Sequence, residues 1–267
     1  GDSVILAEES HPYHYEGANL ARIAGLLAIP VPDPLGKITP EQVRDRICQI
    51  DDPHFSHTTM LSLENTVNRG GGACYTLEEF AATASAAREA GLRVHCDGAR
   101  LFNACAALGV APAAFAAHCD TVCFCLSKGL GAPAGSLLAG SRTMIAQALR
   151  YRKQLGGGMR QVGVLAAAGL HALQHHVPDL AEDHRRTRTL REALANAGYT
   201  FPLQSPTNIL YIHAPHPLAL VGALAGEGIY TLPHGSDSIR AVLHRDIGDD
   251  ALAHAIVCFQ KFPGGRA

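Results

Sequence analysis

The 267-residue chain has no excess of charge: its net charge is −2, and no stretch is rich in lysine or arginine. That excludes a general surface for polyanions and argues against a nucleic-acid partner. No apolar run approaches the ~20 residues that span a bilayer, so no membrane partner is expected. No charged segment followed by an apolar one precedes the first strand, and a cytoplasmic location is expected. The eight cysteines lack the spacing of a disulfide framework. Cys119, Cys123 and Cys125 lie close together, but the last two belong to an apolar strand, where free cysteine behaves as a small hydrophobe. No four-ligand zinc pattern is completed, so no metal is expected. Gly156-Gly157-Gly158 lacks the Gly-Lys-Ser/Thr ending of a P-loop, which argues against a nucleoside triphosphate. An initiator methionine is also missing. The chain opens Gly1-Asp2 and runs directly into an apolar strand, which suggests a fragment or a processed chain.

What is present is an α/β pattern with 47% apolar residues. The length accommodates one large unit, expected over 1–176, and a small α+β unit over 177–267. The stretch from His95 to Gly135 organises the large unit. Leu92 to Cys96 reads as a buried strand delivering Asp97 at its carboxyl end. Thr121 to Leu126 delivers Lys128 in the same way. Ligands of open α/β sheets bind outside the carboxyl ends of strands, so both side chains should face one crevice. Either residue alone is ordinary, a solvated lysine or a turn aspartate. Together they suit pyridoxal phosphate, which forms a Schiff base with a lysine while an acid holds its ring nitrogen protonated. Gly129 and Gly131 would let the backbone pass close to such a cofactor.

The remaining elements follow from capping and periodicity. Val4 to Ala7 is a strand, followed by the polar, aromatic corner Ser10 to Gly17. Ala18 to Leu27 suits a short helix, and Pro30, Pro32 and Pro34 an extended connection. Thr39-Pro40 with Gln42 and Thr76 with Glu79 form capping boxes. Thr59 to Leu63 is a strand. Leu77, Phe80, Ala84 and Ala87 make a buried helical stripe that ends at Gly91. Helices are expected over Phe102–Leu108, Ala113–His118, Ser141 to the glycine run, Gln161–His176, Leu180–Ala197, Leu218–Leu224 and Ala251–Phe262. Gly135 to Ala139 is expected as a strand, as is Asn208 to Ile212. Ile229–Leu232 and Ser238–His244 read as paired strands.

Three blocks in order, HCDGARLFNA, LSKGLGAPAGSLLAG and RKQLGGGMRQVG, resemble the L-threonine aldolases, which are pyridoxal enzymes of fold type I grouped with the β-eliminating lyases. The resemblance runs from Gly1 through His244. It implies a mostly parallel sheet with helices on both faces. It implies pyridoxal 5′-phosphate as cofactor and cleavage of L-threonine or L-allo-threonine to glycine and an aldehyde. It implies a homodimer or homotetramer with sites at subunit boundaries. Lys128 would hold the cofactor and Asp97 its ring nitrogen. His11, on its own a surface turn histidine, would stack on the ring. His54, on its own a loop histidine, would lie near the substrate hydroxyl, so His11 and His54 are the candidate bases. Asn65, in a Glu-Asn-Thr triplet that the family shares, would position cofactor or backbone. Arg100 and Arg240 would bind the substrate carboxylate, for which a planar guanidinium fork is suited. Arg160, which on its own could equally cap or bridge a helix start, would reach the cofactor phosphate across a subunit contact. Family members begin with a segment, carrying a Gly-Thr phosphate loop and a serine, that precedes the region matched here. The alternatives are another fold-type-I lyase, a transaminase, or a catalytically weak cofactor-binding fragment.

Overall fold

A computed structural model describes residues 1–263. Residues 264–267, the end of the expected second unit, lie outside the described residues. The large unit is built on β1 (Ser3–Ala7), β2 (Leu27–Val31), β3 (Thr58–Glu64), β4 (Arg93–Asp97), β5 (Thr121–Cys125) and β6 (Ser136–Gly140). Their spatial order is β2-β1-β3-β4-β5-β6. β1 to β5 pair in parallel, and β6 runs antiparallel to β5 at the edge. Strands buried on both faces must be apolar throughout. Val4, Ile5, Leu61 and Val94 are accordingly buried. Tyr75, Phe80 and Phe115 pack edge to face beside them, with ring centroids 5.8 and 5.4 Å apart.

The connections follow the capping signals. α1 (His11–His14) and α2 (Asn19–Arg22) lie between β1 and β2. Thr39 caps α3 (Pro40–Arg44) and Thr76 caps α4 (Leu77–Glu89), both through complete capping boxes. α5 (Leu101–Leu108) and α6 (Pro112–Ala116) join β4 to β5. The expected helix over Ala18–Leu27 is shorter than its periodicity suggested. It stops at Arg22, and Leu27 begins β2, whose partner is β1. Pro30 is tolerated there because β2 is an edge strand.

α7 (Arg142–Gln154) and α8 (Gly163–His175) lead to the long α9 (Leu180–Asn196). The small unit contains β7 (Ile209–His213), α10 (Pro217–Gly226), β8 (Leu232–His234), β9 (Ser238–Val242) and α11 (Asp249–Gln260). Its sheet is antiparallel in the order β7-β9-β8. The expected strand over Ile229–Leu232 starts only at Leu232. The Ile229 N–H is already donated to Leu224 O, 2.9 Å away, at the end of α10, and so cannot join the ladder. The two units have separate apolar cores. A third cluster of Leu126, Leu130, Ala132, Ala172 and Leu180 seats the loop after β5 against α8 and α9.

Candidate functional site

Three parallel strands end side by side. Glu64 of β3 pairs with Asp97 of β4, and Asp97 pairs with Cys123 of β5. Beyond these ends lie two polar cavities of about 410 and 370 Å³, and Arg100 and Lys128 wall both. His11, Tyr15, Asn68, Tyr211, His234 and Arg240 wall the larger one together with Leu232 and Pro233. Ser127, Asn208, His244 and Asp246 contribute to the smaller. Strands β7 and β9 of the small unit thus supply walls to a site based on the large one. An apolar cavity of about 280 Å³ lies within the small unit, between β9 and α11, away from Lys128.

Lys128 is half-buried, and its side-chain amine has no hydrogen-bond or ion-pair partner among the described residues. Its loop is held by Gly131 N–H donating to Lys128 O at 2.8 Å and Ala132 N–H donating to Leu126 O at 2.9 Å. Gly131 has φ +70°, and a Cβ there would stand 2.4 Å from Arg245 Cδ. Only glycine fits both requirements. Asp97 is buried, and its Oδ1 accepts from Ala99 N–H at 3.2 Å and meets Cys123 Sγ at 3.6 Å. Burial pushes the Cys123 thiol up to about 12, with Asp97 adding to the shift.

Glu64 is buried and accepts from the backbone N–H of His11 at 2.7 Å and of Asn68 at 2.9 Å. Burial, reinforced by the Asp97 charge, raises its carboxyl to about 7. Arg100 is lowered to about 10, mainly by burial and then by the neighbouring Arg240. Both guanidiniums donate to Asn68 Oδ1, Arg240 Nη2 at 2.7 Å and Arg100 Nη1 at 3.4 Å. The larger cavity's mouth carries two aromatic contacts: Tyr211–His234 at 4.5 Å and His11–Tyr15 at 5.0 Å between centroids.

The structure therefore brings Lys128, His11, Arg100 and Arg240 to one cavity, with Asp97 buried at the adjoining strand end. Asn65 is fully buried, accepts from Tyr75 N–H at 3.3 Å, and keeps Nδ2 without a partner. His54 walls neither cavity. It is 85% exposed on its loop, with Nδ1 2.6 Å from Asp52 Oδ1. Arg160 is exposed and likewise walls neither. Sequence reasoning missed Glu64 and Asn68. The rule that found Asp97, a polar residue ending a buried strand, applies equally to Glu64. Among the described residues no three His, Cys, Asp or Glu side chains gather to hold a metal ion. No helix among them is long and apolar enough to cross a membrane.

A family model described as beta-eliminating lyase matches residues 1–215. The chain belongs to the beta-eliminating lyase family. It is 36% identical to a probable low-specificity L-threonine aldolase 2 of Arabidopsis thaliana, over 98% of this chain and 76% of the relative. The identity to a low specificity L-threonine aldolase of Escherichia coli K12 is also 36%, over 98% and 78% of the two chains. Among solved structures, a Leishmania major threonine aldolase superposes with a TM-score of 0.83 at 18% identity, covering 97% of this chain and 77% of that one. An aspartate aminotransferase from Thermus thermophilus gives 0.69 at 19%, covering 98% and 70%. The fold of this family member is thus the fold type I expected from its sequence, with a mostly parallel large sheet and a small antiparallel one.

Proposed function

We propose that this chain is a pyridoxal-phosphate-dependent lyase that cleaves β-hydroxy-α-amino acids, L-threonine or L-allo-threonine, to glycine and an aldehyde. The convergence on one cavity of a lysine amine and two arginines, none ion-paired among the described residues, carries the reading. The residues present fit the cofactor. Lys128 offers an uncompensated amine, Asp97 a buried carboxylate, and Asn65 Nδ2 an unused buried donor. Gly98 lets the backbone pass where a Cβ would stand 2.7 Å from Cys123 O. Relatives that carry threonine aldolase names support the substrate class.

When bound, the cofactor supplies an electron sink for the breaking Cα–Cβ bond. Lys128 is assigned to hold it, and Asp97 to keep its ring nitrogen protonated. Arg100 and Arg240 would bind the α-carboxylate and so select which bond of the substrate is broken. His11 walls the cavity beside Lys128 and would take the β-hydroxyl proton. Both imidazoles meet a carboxylate through Nδ1, His11 at Glu16 and His54 at Asp52, and His11 is preferred because it walls the cavity while His54 is 85% exposed and walls neither. Glu64 holds the His11 backbone through a carboxyl that exchanges its proton near neutrality.

The protein is further proposed to act as a homodimer or homotetramer. α7 buries none of its own residues, and Leu149, Tyr151, Leu155, Met159, Val164 and Leu170 are exposed along α7, α8 and the turn between them. So many exposed apolar side chains on neighbouring elements support an interface. Exposed Arg160 follows Met159 in that turn and is assigned to the cofactor phosphate of the neighbouring copy. The division into units at 176/177 falls at His176, the C-cap of α8. Free thiols at every described cysteine support a reducing, cytoplasmic setting. The direct test is turnover with cofactor present on L-threonine and L-allo-threonine. Equimolar glycine and aldehyde are expected. Amino transfer to a keto acid without glycine formation would overturn the reading.

A further inference from the structure

We propose that Asn68 is a positioning residue. Its neutral carboxamide oxygen holds Arg100 and Arg240 together and yields them to an incoming amino-acid carboxylate. This inference rests on the reading of the cavity as an amino-acid site.

The two guanidiniums come from different units, Arg100 from the turn after β4 and Arg240 from β9. They carry like charge and oppose each other, which is part of why Arg100 titrates low. Among the described residues neither forms an ion pair with a carboxylate, and Arg240 Nε is buried without a partner. Asn68 Oδ1 accepts from both, at 2.7 Å from Arg240 and 3.4 Å from Arg100, with the Tyr211 hydroxyl a further partner of Arg240. Its main chain is fixed from both sides. The Asn68 N–H donates to Glu64 Oε1 at 2.9 Å, and Tyr211 of β7 donates its hydroxyl to Asn68 O at 3.2 Å. Asn68 is therefore where the large unit grips the small one beside the substrate cavity.

The amide has a consequence that an acid would not. An aspartate has the same shape but would turn these cation-to-neutral bonds into ion pairs with both guanidiniums, adding attraction between opposite charges. It would also cancel the positive charge that the substrate carboxylate needs. A neutral oxygen aligns the two arginines and leaves their charge available.

The test compares wild type, Asn68→Ala and Asn68→Asp as full chains loaded with pyridoxal phosphate. Glycine is titrated by the cofactor's visible absorbance, kcat and KM are measured on L-threonine, and thermal melting is recorded. Asn68→Asp is expected to melt no lower than wild type. It should weaken glycine binding and raise KM about 10- to 100-fold, with kcat changed less than about threefold. Asn68→Ala should show a smaller rise of about tenfold. A merely structural hydrogen bond predicts the reverse order, with aspartate rescuing what alanine loses. Wild-type affinity in Asn68→Asp, a melting point below wild type in that variant, or a loss confined to kcat would overturn the proposal. Asn68→Asp decides the matter even if Asn68→Ala does not fold. If wild type binds glycine but releases none from threonine, the proposed reaction fails while the glycine titration still judges Asn68.

Discussion

Glu64→Gln should change the pH dependence of stability in a direction that the structure fixes. Glu64 is buried beside Asp97, and its carboxyl is raised from 4.5 to about 7. An unfolded chain would release that proton near pH 4.5. Between these values the folded protein holds one proton more than the unfolded chain, so stability falls as pH rises. The contribution is fully present below about pH 4.5 and is lost once pH passes about 7. A gap of about 2.5 pH units, at about 1.36 kcal/mol each, amounts to about 3 kcal/mol. Glutamine does not titrate. It also replaces a carboxyl whose two oxygens meet the N–H groups of His11 and Asn68, and its cost relative to the protonated carboxyl is the same at every pH. Urea unfolding of both proteins at a series of pH values isolates the effect. The stability of wild type minus that of Glu64→Gln should decline by about 3 kcal/mol between roughly pH 4 and pH 8. A difference that stays flat, or grows with pH, would refute the claim that burial keeps this carboxyl protonated.

Asp97→Asn should leave the melting behaviour close to wild type while lowering turnover roughly 10²- to 10³-fold, because an amide cannot balance a protonated ring nitrogen. Arg100→Lys and Arg240→Lys should raise KM for the amino acid, since lysine lacks the planar fork. Arg160→Ala should instead speed cofactor loss, and dissociation rates measured beside KM separate the two roles. Gly131→Ala forces a side chain into φ +70° against Arg245. It should cost at least about 1–2 kcal/mol from the backbone alone and loosen the Lys128 loop, as read by chemical denaturation.

The strand ends that organise the site were legible because strands buried on both faces announce themselves as apolar runs, and the polar residue that ends such a run must face the ligand side. Val94 and Cys96 made Asp97 visible in this way, while Lys128 was read from the apolar run Thr121 to Leu126, of which Val122 and Leu126 are buried. Both capping boxes were legible because the bonds are local. β2 was not, since an edge strand with Pro30 satisfies its partner on one side only and has no need of a continuous apolar pattern. The pairing of Arg100 with Arg240 through Asn68 was beyond reach, because it depends on the small unit docking over β3 and β4. His54 and Arg160 were named through family resemblance alone, and both lie outside the walls of the cavities.

The central claim is that Lys128 holds pyridoxal phosphate at the shared cavity. The chain should be incubated with the cofactor, reduced with borohydride to fix the lysine–cofactor bond, digested and mapped by mass spectrometry. The account predicts a visible absorbance band before reduction and a single pyridoxyl label on Lys128. It also predicts that both are lost in Lys128→Ala. Label on Lys37 or Lys153, or a band that survives Lys128→Ala, would contradict it.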